Sequence, residues 1–160
     1  MAVTTDLGIP GEKLIPESLQ AGRRLALLAR HRAYGEEIVD SGPLFRSMRV
    51  EGNKLRLQFD SKGSGLSLGI PHRLTQQGDR PRSVDPKLSG FAIAGADQRW
   101  HPATGRIEGE GAKQSVLLWS DAVVRPVAAR YDWKGFPEGN LYNRNGLPAP
   151  PFRTDLDQPR

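Results

Sequence analysis

The chain has no cysteine among its 160 residues, which removes disulfides, thiolate zinc sites and cysteine nucleophiles together. It also lacks a long apolar run. A bilayer-spanning helix needs roughly 18 such residues, and the best candidate, Leu25 to Ala29, is closed off by Arg24 and Arg30. The start, Met1-Ala2-Val3-Thr4-Thr5-Asp6, has no basic stretch leading into an apolar one, so no export signal is recognisable. Apolar residues make up 37% of the chain and mean hydropathy is −0.53, which is little for a compact globule, whereas 18 glycines and 13 prolines call for many turns and short elements. That balance favours β structure over a helical bundle.

What is present is a basic chain of formal charge +5. Its lysines and arginines run from Lys13 to Arg160 with acids between them, which reads as a solvated surface and not as a nucleic-acid patch. Neither a nucleic acid nor a membrane is expected as a partner. The length suits one ordinary domain, or a small domain carrying part of another.

Along the chain, Gly8-Ile9-Pro10-Gly11 is a breaker cluster, and helical texture begins at Ser18, a good N-cap. Leu19, Gly22, Leu25, Ala26, Ala29 and Ala33 recur at helical spacing while Arg23, Arg24, Arg30 and Arg32 lie on other faces, which predicts one amphipathic helix over 18–34 with Gly35 as its stop. After it, Leu44 to Val50 and Lys54 to Asp60 flank Glu51-Gly52-Asn53, a hairpin signal. Leu55, Leu57 and Phe59 alternate with polar neighbours, the period of a half-buried strand. Residues 71–88, rich in proline and without period, read as a long exposed loop. Further strands are expected at Gly90 to Ala94, Gly105 to Glu108, Gln114 to Trp119 and Val127 to Trp133. The fold expected is mostly β: an antiparallel β-sandwich preceded by one α-helix. A helix whose apolar face wants a partner, placed before a self-contained β region, suits residues 1–40 as the end of a different domain; it equally suits a helix docked on its own α+β domain.

The chemistry-bearing candidates each have a plainer reading. Gly65-Leu66-Ser67-Leu68-Gly69 fits a Gly-x-Ser-x-Gly nucleophile elbow, but Ile70-Pro71-His72-Arg73 leads into a proline-rich loop where an elbow needs a helix. A glycine-flanked bend at a strand start fits better. His31, His72 and His101 show no helical i, i+4 ligand pairing, and Asp97 and Glu108 are metal ligands only by proximity in sequence; turn polarity accounts for Asp97. Trp100, Trp119, Trp133, Tyr131 and Tyr142 are the rings available for a sugar platform. Tyr131 and Trp133 share a strand face and read as core, whereas Trp100, in a turn, reads as exposed or as cover for a sandwich edge.

The segments Tyr131-Asp132-Trp133, Asn140-Leu141-Tyr142-Asn143 and Gly146-Leu147-Pro148-Ala149-Pro150-Pro151-Phe152 form a proline- and glycine-punctuated tail. That tail resembles the C-terminus of sialate O-acetylesterases. Met1-Ala2-Val3-Thr4-x-Asp6, Gly22 to Leu27, Ser41-Gly42-Pro43-Leu44, Val50 to Lys54, Gly63 to Leu66, Gly90-Phe91-x-Ile93-Ala94-Gly95-Ala96-Asp97 and Pro126-Val127-Ala128-x-Arg130-Tyr131 are similar to the same family, in its order.

The resemblance implies an SGNH-type serine esterase that removes acetyl groups from sugar hydroxyls through an acetyl-enzyme. It assigns residues 1–40, loop plus helix, to the end of the hydrolase domain, and 41–160 to an accessory, jelly-roll-like β-sandwich with a packed C-terminal tail. The nucleophile segment would precede Met1. The family's catalytic His would fall where Ile15 stands in Lys13-Leu14-Ile15-Pro16, and Asp6 matches a family Asp without a His to orient. The expectation is therefore a non-catalytic C-terminal fragment with no catalytic, cofactor-binding or metal-binding residue. Its implied partners are an O-acetylated carbohydrate for the parent enzyme and the missing N-terminal hydrolase part. The family is usually secreted, periplasmic or lysosomal. The alternative is a free-standing β-sandwich module that binds carbohydrate or a protein.

Overall fold

The computed structural model describes residues 1–8, 18–61, 64–69 and 87–155. Helix α1 spans Ser18–Arg32, ending before the expected position 34, and Gly35 at φ 72° turns the chain away. The strands among the described residues are β1 (Leu44–Glu51), β2 (Lys54–Asp60), β3 (Leu66–Leu68), β4 (Phe91–Ala94), β5 (Trp100–Pro102), β6 (Thr104–Glu108), β7 (Ser115–Trp119), β8 (Ala128–Tyr131), β9 (Leu141–Asn143) and β10 (Phe152–Arg153). They form a four-stranded sheet in the order β1-β2-β7-β6, a second in the order β10-β8-β4-β5, and a small β3-β9 pair. Every named pairing is antiparallel. The expected sandwich with one preceding helix is thus present.

Local sequence explains the main sheet. Glu51 faces Lys54 across a tight turn whose Gly52 sits at φ 62°, a conformation glycine adopts without strain. In β2 the pleat sends Leu55, Leu57 and Phe59 inward and Lys54, Arg56 and Gln58 outward. The inward row meets Val116 and Leu118 of the same sheet and Phe91, Ile93, Ala129 and Tyr131 of the other in one continuous core. Each Leu, Val, Ile or Phe side chain in it contributes about 1.5–3 kcal/mol when fully buried. Phe152, on the two-residue strand β10, stacks on Phe45 at 4.5 Å between ring centroids, which ties the tail to the first strand. Leu88 also joins this core, although proline-rich texture had placed it in an exposed loop. The rest of that loop, 71–86, lies outside the described residues.

The segment Asn140 to Asn143 holds the closing part of the chain. Asn140 Oδ1 accepts the Ser89 N–H at 2.8 Å and its Nδ2 donates to the Lys87 carbonyl at 2.9 Å. Asn143 Oδ1 accepts the N–H groups of Leu147 and Asn145 at 2.9 and 3.1 Å, while its Nδ2 donates to the Ser41 carbonyl at 2.9 Å. Both amides are buried, so each supplies loop backbone with partners that water does not.

Helix α1 departs from the sequence reading at Arg24. Its apolar stripe, Leu19, Gly22, Leu25, Ala26, Ala29 and Ala33, is exposed within the described residues. Arg24, read as polar-face, is the buried residue of the helix. Its guanidinium reaches Asp6 Oδ1 and Oδ2 at 2.6 and 2.8 Å and the Val3 carbonyl at 2.6 Å. Tyr142 of β9 donates its hydroxyl proton to Asp6 Oδ2 at 3.0 Å, so an ionic joint, not an apolar one, fastens the helix to the sandwich.

Candidate functional site

The Gly-x-Ser-x-Gly string forms no elbow. Gly65, at φ 80°, bends the chain into β3, and Ser67 lies within that strand paired with Tyr142. Its hydroxyl donates to the Asn143 carbonyl at 2.9 Å, which leaves it bound to backbone and not to a base. Gly69 is small for a packing reason: a Cβ there would run into the Tyr142 ring.

The remaining ionisable candidates are also dispersed. His31 Nδ1 lies 2.9 Å from the Glu36 carbonyl at the exposed end of α1. His101 is on β5, opposite Ile93. Asp97 Oδ1 accepts the Arg99 N–H at 3.2 Å, the local turn bond its position suggested. Glu108 belongs to an ion network in which Arg56 donates to it at 2.9 Å and to Glu51 at 2.7 Å, and Arg106 donates to it at 2.7 Å. Hydrogen bonds from Arg56 hold the Glu51 and Glu108 carboxyls below the usual range. Among the described residues no group of three His, Asp or Glu side chains gathers where a metal ion would sit. His72 and Ile15 lie outside the described residues.

The rings are more informative. Tyr131 is buried, its phenol pushed above the ordinary range by desolvation first and the Asp132 charge second, and it accepts the Leu141 N–H at 3.0 Å. Trp133 does not share its fate, because β8 ends at Tyr131 and Asp132 adopts φ 50°, which breaks the period-two alternation. Trp133 is instead 50% exposed, correcting its assignment to the core. Trp100 stands at the start of the edge strand β5, and Trp119 on the other sheet's outer face beneath the cations of Lys54 and Arg106.

Two of these tryptophans frame a groove of about 400 Å³ on the outer face of the second sheet. Register builds it: Arg153 lies opposite Arg130, Arg130 opposite Ala92, and Ala92 opposite Pro102. The small Ala92 leaves a depression between larger neighbours. Arg130 stacks over the Trp100 ring at 3.9 Å and Arg153 lies over Trp133 at 5.4 Å. Between them, Asp155 accepts two hydrogen bonds from each arginine, at 3.3 and 2.6 Å from Arg130 and 3.0 and 2.7 Å from Arg153. Those donors, Arg130 first, hold the Asp155 carboxyl far below its usual range. Sequence reasoning found Trp100 but missed the arginine pair and Asp155, which only the β8–β10 register brings together.

No known protein-family model matches the chain, and no curated protein matches it significantly. Among solved structures, a carbohydrate acetylesterase from Xanthomonas citri is similar to it, with a TM-score of 0.80 and 43% sequence identity over 97% of this chain and 32% of that one. The chain thus spans about a third of that protein's length and is related to a carbohydrate esterase.

Proposed function

We propose that the chain is the C-terminal portion of a sialate O-acetylesterase-like carbohydrate esterase of SGNH type, non-catalytic by itself, whose role is to complete and present a hydrolase body. On this reading residues 1–40 belong to the edge of the hydrolase domain and 41–160 to an accessory sandwich. The observation that carries it is the outward-facing stripe of α1, with Leu19 82% and Leu25 58% exposed, in a chain that spans 32% of a related acetylesterase. An amphipathic helix gains its stability from burying such a face. The remainder of an esterase is the partner with the right ancestry to cover it. The hydrogen bond from the Ser67 hydroxyl to the Asn143 carbonyl supports reading this serine as part of a strand and not as a nucleophile.

The test is co-expression with an acetylesterase hydrolase portion that lacks the matched third. Association is expected, and it is expected to fail in Leu25→Glu. The chain alone is expected to release no acetate from acetylated oligosaccharides; turnover that survived purification from contaminating esterases would overturn the reading.

A further inference from the structure

We infer that the groove between Trp100 and Trp133 is a binding site for a neutral glycan, with Trp133 as the stacking platform. The inference deepens the reading above, taking from it only that the parent enzyme acts on carbohydrate. The geometry argues for a sugar on three counts. A half-exposed indole beside a shallow groove offers the flat apolar surface that the C–H face of a pyranose covers. Arg153 against the Trp133 ring and Arg130 against Trp100 restrict the side chains on this face, so less freedom is lost on binding. Arg130, which lines the groove, uses Nε and Nη2 on Asp155, while its Nη1 group has no partner among the described residues. That Nη1 donor is suited to ring and hydroxyl oxygens.

The same geometry argues against an acidic ligand. A carboxylate or phosphate is selected by the two-pronged edge of a free guanidinium, and Asp155 occupies that edge on both arginines. Lys134, at the groove's rim, is likewise paired with Glu138. What stays available is hydrogen bonding at an angle to an aromatic floor, the combination that discriminates sugars by shape.

The experiment is titration of the purified chain with a panel of neutral hexaoses (β-glucan, xylan and mannan) and with a galacturonic acid hexamer, followed by tryptophan fluorescence and calorimetry. At least one neutral hexaose is expected to bind saturably, at least tenfold more weakly to Trp133→Ala and with unchanged affinity to Trp119→Ala, whose ring lies on the other sheet. Thermal melts of both variants show whether the fold survives; if Trp133→Ala does not fold, Trp133→Phe is expected to retain partial binding. No binding to any neutral hexaose, equal weakening in both variants, or binding of the acidic hexamer alone would overturn the assignment. Association with the hydrolase portion through α1 is read separately, so loss of glycan binding with association intact refutes this site and leaves the proposed function standing.

Discussion

Arg24 and Asp6 form a two-bonded ion pair, at 2.6 and 2.8 Å, with both side chains buried at the joint between α1, the N-terminal segment and β9. The Tyr142 hydroxyl donates to the same carboxylate at 3.0 Å. Removing one member strands a buried charge, which costs about 3–5 kcal/mol. Arg24→Met is therefore expected to lower the urea midpoint strongly, and Tyr142→Phe, which removes one hydrogen bond to a charged acceptor, to cost about 1.5–3 kcal/mol. Joint replacement as Arg24→Met with Asp6→Leu is expected to recover much of the loss. Equal midpoints for Arg24→Met and the parent chain would show that the joint contributes nothing to stability.

The exposed stripe of α1 gives the opposite expectation. Leu25 touches solvent over more than half its surface, so Leu25→Glu is expected to change the stability of the isolated chain by no more than about 0.5 kcal/mol. Its effect belongs to assembly. A loss of several kcal/mol in the isolated chain would mean that the helix packs on its own sandwich in solution.

These two cases mark where sequence pattern stops being legible. Period-two alternation at Leu55, Leu57 and Phe59 fixes the buried face because β2 lies in the middle of a sheet. Helical periodicity at Leu19 and Leu25 identifies a helix equally well, yet it cannot say whether the partner lies within the chain. Arg24 was misplaced because an arginine is buried only when a distant residue pairs with it, here Asp6, and that pairing is tertiary. Trp133 was misplaced because one left-handed residue, Asp132, cancels the alternation that Tyr131 had begun. Strands of two or three residues such as β10 and β3 carry no period, and only their pairing defines them. The groove is invisible for the same reason: Trp100, Arg130 and Asp155 are far apart in the chain and meet through register.

The Asp155 clamp predicts a pH response. Its folded-state carboxyl titrates well below an unfolded value of about 3.9, because Arg130 and then Arg153 donate to the ionised form. A depressed carboxylate contributes stability that is fully present above the unfolded value and disappears as pH falls towards the folded one. Asp155→Asn is expected to cost about 1–3 kcal/mol near neutral pH. The gap between variant and parent is expected to narrow below pH of about 4. Thermal melts at several pH values check both, and a gap that stayed constant down to acid pH would rule out the ionised clamp as its source.

Two glycines separate backbone freedom from close packing. Gly22 lies inside α1 with open space where a Cβ would stand. Gly22→Ala is therefore expected to stabilise the chain by about 0.5–1 kcal/mol through helix propensity alone. Gly42 has no unusual φ, but a Cβ there would overlap the Pro148 carbonyl and lie 2.7 Å from that of Leu147. The tail from Leu147 onwards lies directly against this backbone, next to the Asn143 bond to Ser41. Gly42→Ala must push the tail away, an overpacking cost of about 1–3 kcal/mol. Because Phe152 follows in the same tail and stacks on Phe45, the displacement is expected to raise amide exchange at Leu147, Ala149 and Thr154 together. Exchange raised at residue 147 alone would mean that Phe152 holds the tail independently of Gly42.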